Sequence, residues 1–372
     1  MSSSGKQPPG NDDCGCPVPA MNSNHEKTIN LALQGGGAHG AFTWGVMDRL
    51  IEDGRLSIEG LCGTSAGAMN AVVYAYGNMI GGADGARQAL YDFWKTISDT
   101  ARLMSPLQQA PWEAWTGTWN MDTSFSFNMF ELMTRAFSPY QFNPMNMNPL
   151  RDILEKAVDF KVLNRCQETK LFISTTKVRT GKVRIFTTDE ITLDVVMASA
   201  CLPQMFQAVK INGDHYWDGG YMGNPAIFPL FYHTDTRDVV IIHINPMDRE
   251  ELPTDASDIT DRLNEITFNA SLLKELRSIA FITKLIEEGW LKDEYKGRLK
   301  HMLMHSIRAD RILCDLKVSS KFNSDWGFLT DLFNRGRSTA EAWLTENYDA
   351  IGTQSTVDLK KEFFDIGSEH AG

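Results

Sequence analysis
The residues best suited to chemistry are Ser65, Asp218 and a run of glycines at 35–40. Ser65 stands in Gly63-x-Ser65-x-Gly67, within Ile58–Glu59–Gly60–Leu61–Cys62–Gly63–Thr64–Ser65–Ala66–Gly67–Ala68–Met69–Asn70. That stretch reads as a short strand, a sharp turn and the start of a helix. Such an elbow lifts a serine hydroxyl clear of the backbone, where it can attack a carbonyl carbon. The helix after it aims its positive end at a forming oxyanion. Taken alone, the same pattern also describes an ordinary glycine-rich turn before a helix.

Two further stretches supply what a serine nucleophile lacks. The apolar run Ile29–Leu33 ends in Gln34–Gly35–Gly36–Gly37–Ala38–His39–Gly40, and a helical pattern follows with Phe42, Val46 and Leu50 on one face. Strand, glycine loop and helix together direct backbone N–H groups at an anion. Far downstream, Tyr216–Trp217–Asp218–Gly219–Gly220–Tyr221 holds an acid at the end of a strand-like run. Asp-Gly-Gly by itself is a plain turn signal. A serine elbow, an N–H-rich loop and a turn aspartate are together the parts of an acyl-transfer site.

In this order the three motifs resemble those of the patatin-like phospholipases, in their bacterial form. The matching stretches are Gly35–Gly40, Gly63–Gly67 and Asp218–Gly220, and Ala198–Ser199–Ala200–Cys201–Leu202–Pro203 resembles the family's small-residue segment ending in Pro. The resemblance covers roughly residues 28–250 and implies a three-layer α/β/α hydrolase with a mainly parallel central sheet. It implies Ser65 as nucleophile, with Asp218 as the base acting on it directly. The N–H groups of Gly36, Gly37 and Ala38 would form the oxyanion hole. Gly35, Gly40, Gly63, Gly67, Gly219 and Gly220 are the motif glycines. The family usually carries Arg or Lys where this chain has His39. A neutral imidazole supplies less positive charge near the loop, so His39 is an auxiliary polar group or simply a loop histidine bonded to its neighbours. No metal and no cofactor is expected.

The elements that must carry these groups follow from pattern. Strands are expected at Thr28–Leu33 and Leu56–Cys62, each followed by a helix, Ala41–Glu52 and Ala66–Tyr76; two such units suggest a parallel sheet. Gly77–Gly85 reads as a loop and Ala86–Ile97 as a helix. Asn148–Phe160 is a capped helix. Hairpins are expected at Lys170–Val178 with Lys182–Thr187, and around Asn212–Gly213–Asp214. Leu193–Ser199 reads as helix and Asp238–Ile244 as a buried strand. Ile259–Ile286 is strongly helical, the basic stretch Lys292–Arg311 reads as a helix packed across the core with a solvated charged face or as a membrane-surface segment, and 318–372 as more helices.

The chain divides by texture into a disordered tail at 1–27, a catalytic domain at 28–250 and a helical extension at 251–372 packed on the core. Residues 101–150 are crowded with aromatic and Met residues, among them Trp112, Trp115, Phe130 and Met133. They form either a lid whose adaptable side chains contact acyl chains or an irregular layer over the sheet.

Composition narrows the function classes. A net charge of −11 and a pI near 5.3 argue against nucleic acid as a partner. The six cysteines are scattered, and Cys14-x-Cys16 has no second pair at zinc spacing, so a reducing cytoplasm fits best. No apolar run reaches the roughly 18 residues of a membrane span. The expected partner is a lipid or other ester, with peripheral contact at a lipid surface. The expected reaction is hydrolysis of phospholipids or related lipids. Alternatives are an intracellular polyhydroxyalkanoate or a simple carboxylester as substrate, and a catalytically silent lipid-binding scaffold. Among the histidines that could form a triad, His243 is the main rival to a Ser–Asp dyad.

Overall fold
The computed structural model describes residues 27–105, 107, 118–166, 168–249, 251–292, 299–309 and 312–364. The expected tail, with Cys14 and Cys16, and the lid residues Trp112 and Trp115 lie outside the described residues, apart from Lys27, which opens the first strand.

Eight strands form one mixed sheet: β1 (Lys27–Leu33), β2 (Leu56–Gly63), β3 (Lys170–Lys177), β4 (Lys182–Thr187), β5 (Val209–Ile211), β6 (Asp214–Asp218), β7 (Asp238–His243) and β8 (Leu303–Arg308). Their order is β5-β6-β3-β2-β1-β7-β8, with β4 paired to β3. The run β3-β2-β1-β7-β8 is parallel, and β4, β5 and β6 join by antiparallel pairing. The central strands alternate their side chains between two cores, as a pleated strand must. Leu31, Leu33, Val240 and Ile242 enter one cluster. Ala32, Val239 and Ile241 enter the other. Helices α1 (Gly40–Asp53) and α2 (Ala66–Met104) cover the first face, and α6 (Ala256–Glu287) covers the second through Leu272, Leu276 and Ile279. The architecture is therefore the expected α/β/α sandwich.

Between these lie α3 (Phe125–Ala136), α4 (Pro149–Ala157) and α5 (Leu193–Ser199), and the long α7 (Trp326–Asn347) rests on α1. There Phe333 packs against Trp44, with ring centroids 4.1 Å apart.

The topology explains how residues 65 and 218 meet. Strand β4 runs along one edge of β3, pairing Phe186 with Ile173 and Arg184 with Thr175. Strands β2 and β6 must then share the opposite edge, and they approach it from opposite directions. β2 ends at Gly63 against Ile173, and β6 ends at Asp218 against Thr175. The two chain ends converge on Ser174.

Two segments differ from the sequence reading. Gly77–Gly85 is not a loop: only Gly81 and Gly82 leave helical geometry, so α2 kinks there and continues to Met104. Within 292–311, Leu303–Arg308 is strand β8 rather than helix. Its period-2 pattern was hidden by His305, a polar residue at a fully buried position whose ring nitrogens meet Asp238 and Thr356. In 101–150, α3 buries none of its side chains and exposes Phe125, Met129, Leu132 and Met133. No described helix is long and apolar enough to cross a membrane.

Candidate active site
Ser65 occupies the turn between β2 and α2 with φ 53° and ψ −122°. A positive φ is costly for a residue with a Cβ. Surrounding contacts hold it there. The Ser65 N–H donates to Ser199 Oγ at 3.0 Å, and the Ser199 hydroxyl donates to the Ser174 carbonyl at 2.7 Å. Ser199 lies at the end of α5, in the small-residue segment singled out in the sequence. The turn also needs bare glycine: a Cβ on Gly67 would stand 2.2 Å from the Leu33 carbonyl oxygen. Gly63 closes β2 on the other side of the elbow.

The glycine loop leaves β1 and passes directly over the serine. A Cβ at Gly35 would meet the Ser65 Cβ at 2.7 Å. Gly36 precedes a single 3₁₀ turn, Gly37–His39, and Gly40 opens α1. Among the described residues, the N–H groups of Gly36, Gly37 and Ala38 donate to no protein acceptor. Gly35 is held on both sides of its peptide: its N–H donates to Asn224 Oδ1 at 2.7 Å, and its carbonyl accepts from Asn245 Nδ2 at 2.7 Å. Gln34 completes this lattice. Its amide oxygen accepts from the Ile244 and Asn245 N–H groups, and its Nε2 donates to Asn269 Oδ1. All four amide side chains are buried, and a buried network of this kind rigidifies only when its members are satisfied.

Asp218 closes β6 and is 1% exposed. Its Oδ1 accepts from the Gly220 N–H at 2.7 Å, across the turn that Gly219 begins. Burial raises its carboxyl pKa to about 7, while the hydrogen bonds from Gly220 and the Ser65 hydroxyl pull the other way. The chain therefore brings Ser65, Asp218 and the 35–38 loop to one place.

His39 points elsewhere. It is 2% exposed and its Nε2 meets Ser320 Oγ at 2.7 Å. Ser320 spends its own proton on the Lys317 carbonyl, so Nε2 carries the imidazole hydrogen. Burial, and then the charges of Lys321 and Arg249, hold the His39 pKa well below its ordinary value, so the ring is neutral.

Sequence reasoning missed Asn224, Asn245 and Lys321. Lys321 reaches Asn245 Oδ1 at 2.8 Å. Nothing local marks these positions; an isolated Asn or Lys in a loop has too many uses. Among the described residues no cluster of His, Cys, Asp and Glu is arranged to hold a metal. A surface cleft of about 570 Å³ lined by Trp44, Arg87, Tyr91 and Arg337 touches none of the site residues. Its guanidiniums are already paired with Asp48 and Glu52.

A model of the patatin-like phospholipase family matches residues 31–231. Among solved structures, the chain is similar to VipD from Legionella pneumophila, at 15% identity and a TM-score of 0.42, over 86% of this chain and 67% of VipD. It is also similar to ExoU from the type III secretion system of Pseudomonas aeruginosa, solved in complex with SpcU. That match has 16% identity and a TM-score of 0.31, over 86% of this chain and 53% of that one. In a second ExoU–SpcU structure the figures are 18% and 0.30, over 88% and 61%. The chain thus spans between half and two thirds of ExoU. A search of curated proteins found no match.

Proposed function
Because this chain belongs to the patatin-like phospholipase family, we propose that it hydrolyses carboxylic esters of phospholipids or related lipids through an acyl-enzyme on Ser65. Asp218 is the base. Its carboxylate takes the Ser65 hydroxyl proton as Oγ attacks the ester carbonyl carbon. The carbonyl π electrons move to oxygen, and the N–H groups of Gly36, Gly37 and Ala38 stabilise that oxyanion. The tetrahedral centre collapses, the alcohol leaves with the proton from Asp218, and Ser65 keeps the acyl group. Water then gives a proton to Asp218 and attacks the acyl carbon. The second collapse releases the acid and returns the proton to Ser65.

The observation that carries this reading is the strained elbow serine lying under the glycine loop, at the point where β2 and β6 converge and bring the buried Asp218 carboxylate beside it. The raised Asp218 pKa supports the assignment, since a base with a pKa near the working pH can both accept and return a proton. Among the described residues no histidine hydrogen-bonds Ser65 or Asp218. His243 stacks on Phe363, His233 on Phe172, and His305 binds Asp238. The exposed apolar residues of α3 favour a long-chain lipid and peripheral contact with its surface. The test is hydrolysis of phospholipid vesicles, triglycerides, short nitrophenyl esters and polyester granules by the wild type and Ser65→Ala. Turnover of phospholipid that vanishes in folded Ser65→Ala supports the proposal. Turnover confined to granules or acetyl esters overturns the lipid assignment.

A further inference from the structure
We infer that Lys321 is a positioning residue of the hydrolytic site, its ammonium acting through the Asn245 amide to fix the Gly35–Gly37 loop and lend it positive charge. The inference rests on the hydrolase reading above and deepens it.

Lys321 lies in a 3₁₀ segment, Val318–Phe322, that packs against the Gly37–His39 turn. It touches the loop twice. Its backbone carbonyl sits under Gly37, where an added Cβ would come within 2.5 Å of the Lys321 oxygen. Its side chain runs to Asn245, donating from Nζ to Oδ1 at 2.8 Å. That bond orients the Asn245 amide, because the oxygen is committed to the ammonium. The Nδ2 group is then turned to the Gly35 carbonyl at 2.7 Å and to Gln34 Oε1 at 3.2 Å. Asn245 Oδ1 is also 3.6 Å from where a Cβ on Gly36 would stand. The cation is therefore one amide away from the peptides that would face the oxyanion.

Among the described residues, Lys321 is the cation bonded into the amide lattice that holds the loop. His39 is neutral and is turned to Ser320. Arg249 is committed to Glu265, at 2.6 Å, and to the carbonyls of Cys314 and Leu316. A charge fixed in a partly water-excluded site acts over several ångströms, since the effective dielectric there is far below that of water. It costs nothing in reorganisation when the oxyanion forms. The amide between them transmits geometry as well. If the Gly35 carbonyl loses the Asn245 N–H at 2.7 Å, only the longer 3.4 Å bond from Asn224 Nδ2 holds it, and the neighbouring N–H groups are less firmly directed.

The groups facing Lys321 are Asp261 and Glu265 from α6, Arg249 from the segment after β7, and His39 from the loop. Burial lowers the lysine pKa from its ordinary value, the two acids oppose that shift, and Arg249 adds to it. The lysine charge is therefore lost at lower pH than that of an exposed lysine.

The experiment compares wild type, Lys321→Met and Lys321→Arg, each checked for folding by circular dichroism and thermal melting. Two rates are read: ester hydrolysis, and covalent labelling of Ser65 by a fluorophosphonate, which needs the oxyanion site but no lipid recognition. Lys321→Met should lower kcat and the labelling rate together by about 10-fold or more, less than the loss of a direct donor, with KM little changed. Lys321→Arg should restore most of both. It should also remove the alkaline fall in kcat that the lysine produces, because a guanidinium does not deprotonate in this range. A folded Lys321→Met with wild-type rates overturns the inference. So does an Arg variant as impaired as Met, since that would mean shape and not charge. If Lys321→Met does not fold, the alkaline limb of Lys321→Arg decides, and an unmoved limb overturns the inference. A wild type that neither hydrolyses esters nor labels at Ser65 overturns the hydrolase reading itself, and this inference with it. Normal wild-type labelling with unchanged variants overturns this inference alone.

Discussion
Ser199 accepts the Ser65 N–H at 3.0 Å and gives its own proton to the Ser174 carbonyl at 2.7 Å. One hydroxyl thereby ties the elbow to β3, the strand on whose edge β2 and β6 converge. It also commits the Ser65 N–H. Ser199→Ala strands a donor and an acceptor in a buried place. Denaturant melts should show a loss of about 1–3 kcal/mol, and kcat/KM should fall with it. A melt and a rate equal to wild type would mean that Ser199 does not hold the elbow.

Asp218 gives a pH prediction with a definite sign. With Asp218 as the proposed base, kcat/KM should rise with pH through an inflection near the pKa of about 7. Stability moves the other way. The folded pKa lies above the unfolded one, so the contribution of the neutral carboxyl is fully present below the unfolded pKa. It is lost as pH rises through the folded value. Asp218→Asn keeps the side chain neutral. It should be inactive yet gain stability over wild type at pH 8 by on the order of a few kcal/mol, with little gain at pH 4. Urea melts at the two pH values check this, and equal differences at both would contradict it.

Gly37 adopts φ 59° against the Lys321 carbonyl. Proline cannot take that φ and has no N–H. Gly37→Pro should therefore lower kcat/KM by at least the 10²–10³ typical of losing one oxyanion donor, about 3 kcal/mol. A mild effect in a folded variant would place the hole elsewhere.

The exposed face of α3 bears on chain length. Met129→Ala and Phe130→Ala should reduce turnover of long-chain esters more than that of acetyl esters if this helix contacts acyl chains. Equal losses across chain lengths would make α3 a plain structural layer.

Much of this was legible in the sequence, for a physical reason. Gly63, Ser65, Gly67 and Gly35–Gly40 act through local backbone geometry, and short-range geometry leaves short-range patterns. The same holds for the hairpin β3–β4 and for Asn148, whose side chain caps α4 through the Leu150 N–H. The unread parts are those that distance assembles. Asn224 and Asn245 come to Gly35 from 189 and 210 residues away in the chain, and Lys321 reaches Asn245 from 76 residues away. Strand β8 was obscured because His305 is buried by bonding Asp238 and Thr356, partners that only the tertiary fold supplies. The kink of α2 confined the glycine-rich stretch to two non-helical residues because the flanking turns pack on each other: a Cβ at Gly77 would meet the Gly85 carbonyl oxygen at 2.7 Å.

The central claim is that Asp218, and no histidine, is the base for Ser65. The most direct test is kcat/KM for Asp218→Asn beside Ser65→Ala, His243→Ala and His305→Ala, each shown to be folded. The account predicts that Asp218→Asn is as inactive as Ser65→Ala, while both histidine variants keep measurable turnover. A folded histidine variant as dead as Ser65→Ala, with Asp218→Asn still active, would contradict it and require a triad.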